Sequence, residues 1–406
     1  MKALTFNFNY GRLAAATLLG KINPAGYLSR MGPVSYREVP EPTLPGDDWL
    51  ILETDYCGVC GSDLKQVFLD GARDNPLTSF ISFPHVMGHE AVGRVCEVGK
   101  NVTGLKRDDR VAAYPWLSCA PRGLPLCEAC QAGQFTYCRS FASGPFSPGM
   151  HLGVCRDLPG GFAPRIAVHS SMCFSVPESV EPAHAALADP FAVSLHAIQK
   201  SPPKSGETIM VVGCGTLGLL IAHIIDRLYP GVTVIGVDRL PNLADLAAKL
   251  GVAHYWTSAG EELIASVGEL TEAKMHRTMA GLPWLISGVD RVYDTVGSAS
   301  TIETGLRLVK AGGTIVLVGV ATPARFEWTP LYFKEIHMVG SNGCSTETID
   351  GTRSHGFALF LDWMASGRVD PSAIITHRFP IDAYREAFLT ARNKTRHQSV
   401  KVLLET

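Results

Sequence analysis

Three short segments of the chain carry side chains of the types that bind metal ions. The segment CGVCGSD contains Cys57 and Cys60, GHEAVGRV contains His89 and Glu90, and the apolar run ALADP contains Asp189. A buried carboxylate without a partner is costly, so Asp189 is expected to face a cation. Taken singly, His89 and the two cysteines are equally well explained as ordinary core residues.

Cys60, His89 and Asp189 together would supply sulfur, nitrogen and oxygen ligands to one zinc ion. Three protein ligands leave the fourth tetrahedral position for water or substrate, which is the arrangement of catalytic zinc sites. One thiolate, one carboxylate and a neutral imidazole also cancel the charge of Zn²⁺, so the ion can still polarise a bound oxygen. These three residues are therefore predicted to form a catalytic zinc site.

A second candidate metal site is the cysteine lobe, residues 119–138. Four of the chain's 11 cysteines fall within it: Cys119, Cys127, Cys130 and Cys138. The spacing of Cys127 and Cys130 is typical of zinc knuckles. Four thiolates saturate a zinc ion and leave no open position, so this zinc is predicted to be structural and the chain to hold two zinc ions.

The stretch from Thr208 to Asp238 predicts a dinucleotide-binding unit. An apolar strand, TIMVV, is followed by Gly213, Gly215 and Gly218 at G-x-G-x-x-G spacing, with Thr216 and Leu217 at the start of the predicted helix. The first glycine allows a tight turn, the second lets a pyrophosphate approach the backbone, and the third lets the helix pack closely on the strand. The N-terminus of the helix attracts the phosphates.

The choice between NAD and NADP depends on the end of the next strand. Asp238 follows this strand about twenty residues after the last glycine, where a carboxylate accepts the ribose hydroxyls of NAD and repels a 2'-phosphate. Arg239 beside it is a residue type that accommodates NADP. We predict NAD, with NADP as the alternative.

Two further segments, 287–296 and 312–320, are predicted to be parallel strands of the same sheet. Ligands bind at the carboxyl ends of the strands in open α/β sheets. Val296, Val318 and Val320 are therefore candidates to line the nicotinamide ring, although core packing alone would also explain each of them.

Composition excludes some classes of partner. The 406 residues are 46% hydrophobic and 18% charged, which is enough for two domains with substantial cores. With 36 basic and 38 acidic residues the formal net charge is −2, so we expect a small-molecule partner rather than nucleic acid or a membrane. The apolar run 13–19 is too short to span a bilayer and lacks a preceding basic region, so a cytoplasmic location is expected.

The N-terminal part is expected to be mostly antiparallel β structure. Residues 1–8 predict a strand, and residues 34–53 predict a hairpin with a proline-rich turn. Residues 11–32 are rich in alanine, leucine and glycine; a short helix beside a pocket is one interpretation, and a surface excursion is the one we favour.

These motifs in combination resemble the zinc-containing medium-chain alcohol and polyol dehydrogenases over nearly the whole chain. The resemblance is carried by Cys60-Gly-Ser-Asp63, Gly88-His89-Glu90, the four cysteines, Asp189-Pro190 and the glycine turn. It implies an α/β fold, with a doubly wound parallel Rossmann sheet beside a mostly β, twisted-barrel (GroES-like) catalytic domain. It also implies a split catalytic domain, residues 1–190 and 344–406, around an NAD-binding domain of residues 191–343.

The resemblance also assigns roles around the catalytic zinc. It implies that Cys60 rather than Cys57 is the sulfur ligand, and that Glu90 is a carboxylate able to approach the metal during ligand exchange. Asp63 resembles the partner that orients His89.

Two more residues receive roles by resemblance, and two features depart from the family pattern. Ser62 resembles the residue whose hydroxyl accepts the alcohol proton in the family. Lys401 resembles the basic residue that lies at the cofactor phosphates. Lys65 stands where relatives often have a histidine that ends a proton relay, and residues 121–126 lengthen the first gap of the cysteine lobe.

The function so implied is reversible hydride transfer between an alcohol or polyol and NAD⁺, with zinc acidifying the hydroxyl, in a homodimer or homotetramer. A zinc-free NADPH-dependent enone or quinone reductase of the same superfamily is one alternative. A non-catalytic binding protein whose fold is stabilised by zinc is the other. The sequence leaves the substrate open among polyols, aliphatic, aromatic and amino alcohols, and aldehydes.

Overall fold

The chain divides into two units in the computed structural model, which describes residues 1–72 and 74–406. The first unit comprises residues 1–189, 344–367 and 375–406, and the second comprises residues 190–343 and 368–374. The sequence assigned 368–374 to the catalytic domain. The structure places this segment in the second unit, where the backbone N–H of Asp370 donates to Nε2 of His223 at 3.1 Å.

Among the described residues up to Lys200, the structure has eight strands and five helices. The strands are β1 (Lys2–Phe6), β2 (Val34–Glu38), β3 (Trp49–Gly58), β4 (His85–Val86), β5 (Glu90–Val98), β6 (Arg110–Ala113), β7 (Arg165–His169) and β8 (Cys173–Ser175). The helices are α1 (Tyr10–Ile22), α2 (Gly61–Val67), α3 (Glu128–Gln131), α4 (Pro182–Ala185) and α5 (Ala188–Lys200).

The middle of the chain alternates strands and helices. The strands are β9 (Thr208–Val212), β10 (Thr233–Val237), β11 (His254–Trp256), β12 (Met275–His276), β13 (Trp284–Leu285), β14 (Val289–Asp294), β15 (Val309–Leu317) and β16 (His337–Gly340). The helices are α6 (Thr216–Leu228), α7 (Ala244–Lys249), α8 (Gly260–Leu270), α9 (Ala299–Leu308) and α10 (Thr329–Phe333).

The remaining elements follow residue 343. They are the strands β17 (Thr346–Ile349), β18 (Thr352–His355), β19 (Ile375–Pro380) and β20 (Lys401–Glu405), and the helices α11 (Gly356–Ala365), α12 (Tyr384–Arg392) and α13 (Lys394–His397). Short 3-10 helices cover Pro24–Leu28, Pro76–Phe80, Phe135–Tyr137, Ser170–Met172, Pro241–Leu243, Ser372–Ile374 and Ile381–Ala383.

The first unit is built on a mostly antiparallel sheet with the strand order β19-β20-β3-β5-β6-β8, in which β7 also pairs with β3. A smaller sheet has the order β2-β1-β4. The hairpin predicted for residues 34–53 is therefore wrong, because β2 pairs with β1 and β3 joins the large sheet. Prolines at 40, 42 and 45 separate the two strands, and proline cannot donate to a strand ladder.

Residues 10–32 form helix α1 and a following 3-10 turn on the surface of the first unit. Asn9 caps α1 by accepting the backbone N–H of Arg12 at 3.2 Å, and only Ala16 of the helix is buried. The segment thus contains a helix, which was one interpretation of residues 11–32. It also lies at the surface, which was the other. Among the described residues, no helix combines the length and apolarity needed to cross a bilayer.

The second unit contains six parallel strands in the order β11-β10-β9-β14-β15-β16. This is the order of a doubly wound dinucleotide-binding sheet, which confirms the α/β fold class. The strands are apolar because both faces are covered, and Met210, Ile235, Val292 and Ile315 are fully buried in one core cluster.

Arg122 is a fully buried arginine in the lengthened gap before Cys127. All five of its N–H donors bind backbone carbonyls, at distances of 2.8 to 3.2 Å: Nε reaches Leu117, Nη1 reaches Ser143 and Phe146, and Nη2 reaches Ser147 and Gly149. Arg122, which lies in the longer gap, therefore holds the loop 143–149 beside the cysteine lobe.

Replacing Arg122 with Met should destabilise the first unit by about 3 kcal/mol or more, because several buried carbonyls lose charged donors. Arg122→Lys, with three donors instead of five, should have an intermediate effect. Urea unfolding followed at fixed zinc concentration measures the loss. An unchanged midpoint for Arg122→Met would show that these contacts contribute nothing.

His355 caps helix α11 from inside an aromatic cluster. Its Nδ1 accepts the backbone N–H of Phe357 at 3.2 Å, and its ring packs on Tyr114 and Phe174 with centroids 4.5 Å and 4.6 Å away. Burial lowers the pKa of His355 to about 3. An accepting Nδ1 carries no proton, so the capping contact also requires the neutral ring.

The unfolded chain therefore binds a proton at His355 at higher pH than the folded chain does. The contribution of the neutral ring is fully present above pH 6.5 and is lost as the pH falls towards 3. His355→Asn, which preserves a capping acceptor, should reduce the acid sensitivity between pH 6 and 4 by about 1.4 kcal/mol per pH unit. An unchanged slope of unfolding free energy against pH in His355→Asn would contradict this contribution.

Candidate functional site

The predicted zinc ligands of the first unit converge because they lie at the ends of adjacent strands. Cys60 follows β3 and caps helix α2, while His89 directly precedes β5 and Glu90 begins it. In the antiparallel register of β3 and β5, Gly58 faces Glu90. One donor atom each of Cys60, His89 and Glu90 lies within 4.8 Å of the other two.

Asp189, predicted as the third ligand, lies in the first turn of α5 and is 6% exposed. It lines a small cavity together with Glu90, and its Oδ1 accepts no hydrogen bond from the residues that the structure describes. Burial raises its pKa to about 7, against the lowering effect of His89. Asp189 thus belongs to the same charged cluster, but the group of three mutually close donors contains Glu90 instead.

These residues fit a zinc ion. The cluster offers one sulfur, one nitrogen and carboxylate oxygens, which are all zinc donors, and His89 and Glu90 are buried. A buried carboxylate oxygen without a hydrogen-bond donor, as at Asp189, is costly unless a cation is close. The chemistry of the donors and the unsatisfied oxygen both favour a metal.

Asp63 connects the sulfur and nitrogen donors. Its Oδ2 accepts the backbone N–H of Cys60 at 2.9 Å, and its Oδ1 lies 3.9 Å from Nδ1 of His89. Burial alone lowers the pKa of His89, but the Cys60 thiolate and then the Asp63 carboxylate raise it, to well above its ordinary value. The surroundings of His89 are strongly negative, as a cation site requires.

Ser62 and Lys65 are both exposed on helix α2. No described contact joins Ser62 to His89. His151, which no motif in the sequence marked, packs against His89 with ring centroids 4.6 Å apart and against Trp116. Burial, followed by the charge of His89, lowers the pKa of His151 to about 3. The His151 ring beside His89 is therefore neutral.

Lys401, which we expect at the cofactor phosphates, lies against Glu90 in the first unit. Its Nζ forms an ion pair with Oε2 of Glu90, and both side chains are 2% exposed. Nζ also donates to the carbonyl of Val59 at 3.2 Å. Only the strand order, not any local spacing, brings residue 401 to this site.

The four predicted cysteines of the lobe come together. Their sulfur atoms all lie within 4.8 Å of one another, and Sγ of Cys119 and Cys138 are 3.6 Å apart. The backbone N–H of Cys130 lowers the pKa of Cys127 to about 6, and the N–H of Ser140 donates to Sγ of Cys138 at 3.4 Å. The lobe is therefore compatible with a tetrathiolate zinc site.

The glycine turn of the second unit has the close packing that its spacing predicts. A Cβ at Gly218 would lie 1.9 Å from the carbonyl oxygen of Gly213, so only glycine fits there. Gly215 caps helix α6, with Thr216 and Leu217 in its first turn. The N-terminus of α6 is thus free of side-chain bulk next to β9.

Asp238 follows β10 directly and shapes the turn. Its Oδ2 accepts the N–H of Cys214 at 2.7 Å, and its Oδ1 accepts that of Leu240 at 3.1 Å. Each oxygen retains a second lone pair for a ligand hydroxyl. Arg239 is exposed next to it.

The three valine candidates follow the carboxyl ends of two central strands. Val296 comes after β14, and Val318 and Val320 come after β15. Val296 is 40% and Val320 62% exposed. They are thus accessible at the sheet edge where ligands bind in this type of fold.

Comparison with known proteins agrees with this organisation. The family model described as alcohol dehydrogenase GroES-like domain matches residues 46–178, and the one described as zinc-binding dehydrogenase matches residues 213–359. L-Idonate 5-dehydrogenase of Vitis vinifera is 30% identical over 347 residues, covering 82% of this chain and 82% of the relative. L-Galactonate-5-dehydrogenase of Escherichia coli is 28% identical over 353 residues, covering 87% and 89%.

A solved structure extends the similarity. A protein described as a zinc-binding dehydrogenase from Sinorhizobium meliloti, bound to NADP, has a TM-score of 0.72 and 26% identity, covering 100% of this chain and 99% of that one. The two family models match segments of both units. The chain therefore belongs to the zinc-containing medium-chain alcohol and polyol dehydrogenases, a family of oxidoreductases.

Proposed function

We propose that this protein is an NAD-dependent zinc dehydrogenase that oxidises a secondary alcohol of a polyol or sugar acid. The observation that carries the proposal is the convergence of Cys60, His89 and Glu90 within 4.8 Å, with the unsatisfied carboxylate of Asp189 in the same cluster. The named activities of the relatives, idonate and galactonate dehydrogenation, favour a polyhydroxy substrate.

Cys60, His89 and one or both of the carboxylates Glu90 and Asp189 would hold the metal. A bound zinc ion would act as a Lewis acid that lowers the pKa of an alcohol hydroxyl, as it lowers that of water from about 15.7 to about 7. Asp63 orients His89 through its carboxylate.

The remaining steps belong to the hydroxyl of Ser62 and to the cofactor. Ser62 accepts the hydroxyl proton and, being exposed, passes it to water, so a histidine at position 65 is not required. A bound nicotinamide would supply the hydride acceptor for this oxidation, and Val296, Val318 and Val320 in the second unit would line its ring.

The glycine turn and Asp238 support NAD as the cofactor. Gly213, Gly215 and Gly218 leave the backbone open to the pyrophosphate, and the Asp238 carboxylate accepts the ribose hydroxyls. A 2'-phosphate would meet this negative charge, which is the argument against NADP. The tetrathiolate lobe would hold the second, structural zinc ion.

A zinc-free enone or quinone reductase fits these observations less well. Such an enzyme has no use for a cysteine sulfur beside a buried imidazole and two buried carboxylates, whose burial is costly without a metal. A purely structural zinc protein would likewise have no use for the second cluster of donors.

Replacing Cys60 with Ser should lower kcat/KM for polyol oxidation at least about 1,000-fold, since this rate loss corresponds to only about 4 kcal/mol of the stabilisation that the metal supplies. NADH binding, followed by fluorescence titration, should be unchanged because Cys60 lies in the first unit. Metal analysis should fall from two zinc ions per chain to one. Full activity in Cys60→Ser would eliminate the proposal.

Replacing Asp238 with Asn should shift the ratio of kcat/KM for NAD⁺ to that for NADP⁺ at least about tenfold towards NADP⁺, because a charge that repels the 2'-phosphate is removed. The amide keeps the size of the side chain and one of its backbone contacts. Asp226→Asn on α6 is the control for loss of a carboxylate in the same unit. A wild-type enzyme that already prefers NADP⁺ would overturn the cofactor assignment.

A further inference from the structure

The Lys401–Glu90 ion pair joins two strands that are not neighbours. Lys401 begins β20 and Glu90 begins β5, and β3 runs between these strands. In the two registers, Gly58 of β3 faces Leu403 on one side and Glu90 on the other. The lysine and the glutamate must therefore meet across an intervening strand, at the level of Gly58.

Gly58 provides the space for this meeting. A Cβ at this position would lie 1.8 Å from Oε2 of Glu90 and 2.7 Å from Cε of Lys401. Gly58 does not adopt a left-handed backbone conformation, so glycine is needed here for its missing side chain alone. The missing side chain at this position of β3, called the gap at Gly58 below, lets the Lys401 side chain reach Glu90.

The charges of the buried cluster indicate what the Lys401–Glu90 ion pair does. Cys60, Asp63, Glu90 and Asp189 contribute four negative charges to the cluster, and a divalent metal together with Lys401 contributes three positive ones. With Lys401 present, Glu90 has its own cation. Without it, the buried Glu90 carboxylate would be unpaired, and the metal would be the nearest cation.

We propose that Lys401, reaching through the gap at Gly58, holds the Glu90 carboxylate beside the metal without letting it occupy the open coordination position. Lys401 and Gly58 are then positioning residues that keep a catalytic zinc site open. This inference rests on the proposed function, because it assumes a metal at Cys60 and His89. It gives Lys401 a role in the first unit, beside Glu90.

Two substitutions disturb the contact by different routes. Lys401→Met removes the cation, and Gly58→Ala inserts a methyl group whose clashes are with the ends of flexible side chains rather than with backbone. Both should let Glu90 bind the metal as an additional ligand. Glu90→Gln, combined with either one, should cancel the effect, and Lys401→Met with Glu90→Gln also removes the unpaired charge that could prevent folding.

The experiment uses the full chain loaded with Co²⁺ in place of zinc. The visible spectrum reports the number and type of ligands, and transfer of the metal to a chelator reports how tightly each site holds it. Lys401→Met and Gly58→Ala should each change the cobalt spectrum and slow release from the site of Cys60 and His89 at least about tenfold. Release from the tetrathiolate lobe serves as the internal reference. Lys310→Met, which breaks an ion pair with Asp290 in the second unit, should change neither reading.

The outcomes separate this inference from the function on which it rests. If the wild-type chain shows only the tetrathiolate site, the proposed function fails. If both sites load and the two variants release metal at the wild-type rate, the inference alone fails. It also fails if the slow release persists after Glu90→Gln, or if Glu90→Gln alone abolishes loading, since Glu90 would then be a ligand in the wild type.

Discussion

The first unit is constrained by a concentration of buried charge. Asp63, His89, Glu90, Asp189 and Lys401 are all less than 8% exposed. Each needs a partner, because an isolated buried ion is more costly than any single packing contact can repay. The structure pairs Glu90 with Lys401 and Asp63 with His89, and the proposed metal would lie on the side of Cys60 and Asp189. The order of the strands in the sheet is what makes these pairings available.

Features that depend on local spacing could be predicted from the sequence. The four cysteines of the lobe, the glycine turn and Asp238 each lie within a short stretch, so their side chains are near one another in any fold that keeps the local elements. The apolar segments after residue 207 likewise predicted parallel strands of one sheet. In these places the residue types and their period determine the geometry.

Features that depend on strand order could not be predicted in this way. Lys401 and Glu90 are separated by most of the chain, and no local pattern indicates that β20 lies beside β3. The hairpin expected from residues 34–53 was wrong for the same reason. A proline-rich connection has the same composition whether or not the two strands that it joins pair with each other. His151 and Arg122 were missed because single residues in loops carry no period.

The position of β20 in the chain also has a consequence for biosynthesis. Ribosomes build chains from the N-terminus, and domains fold as units while they emerge. β3 and β5 are made early, but β20 follows residues 190–343, which form most of the second unit. Glu90 therefore has no lysine partner while the nascent second unit is folding. A metal ion that arrives during translation would meet an unpaired glutamate, and the site takes its final form only when the last strand is inserted into the sheet.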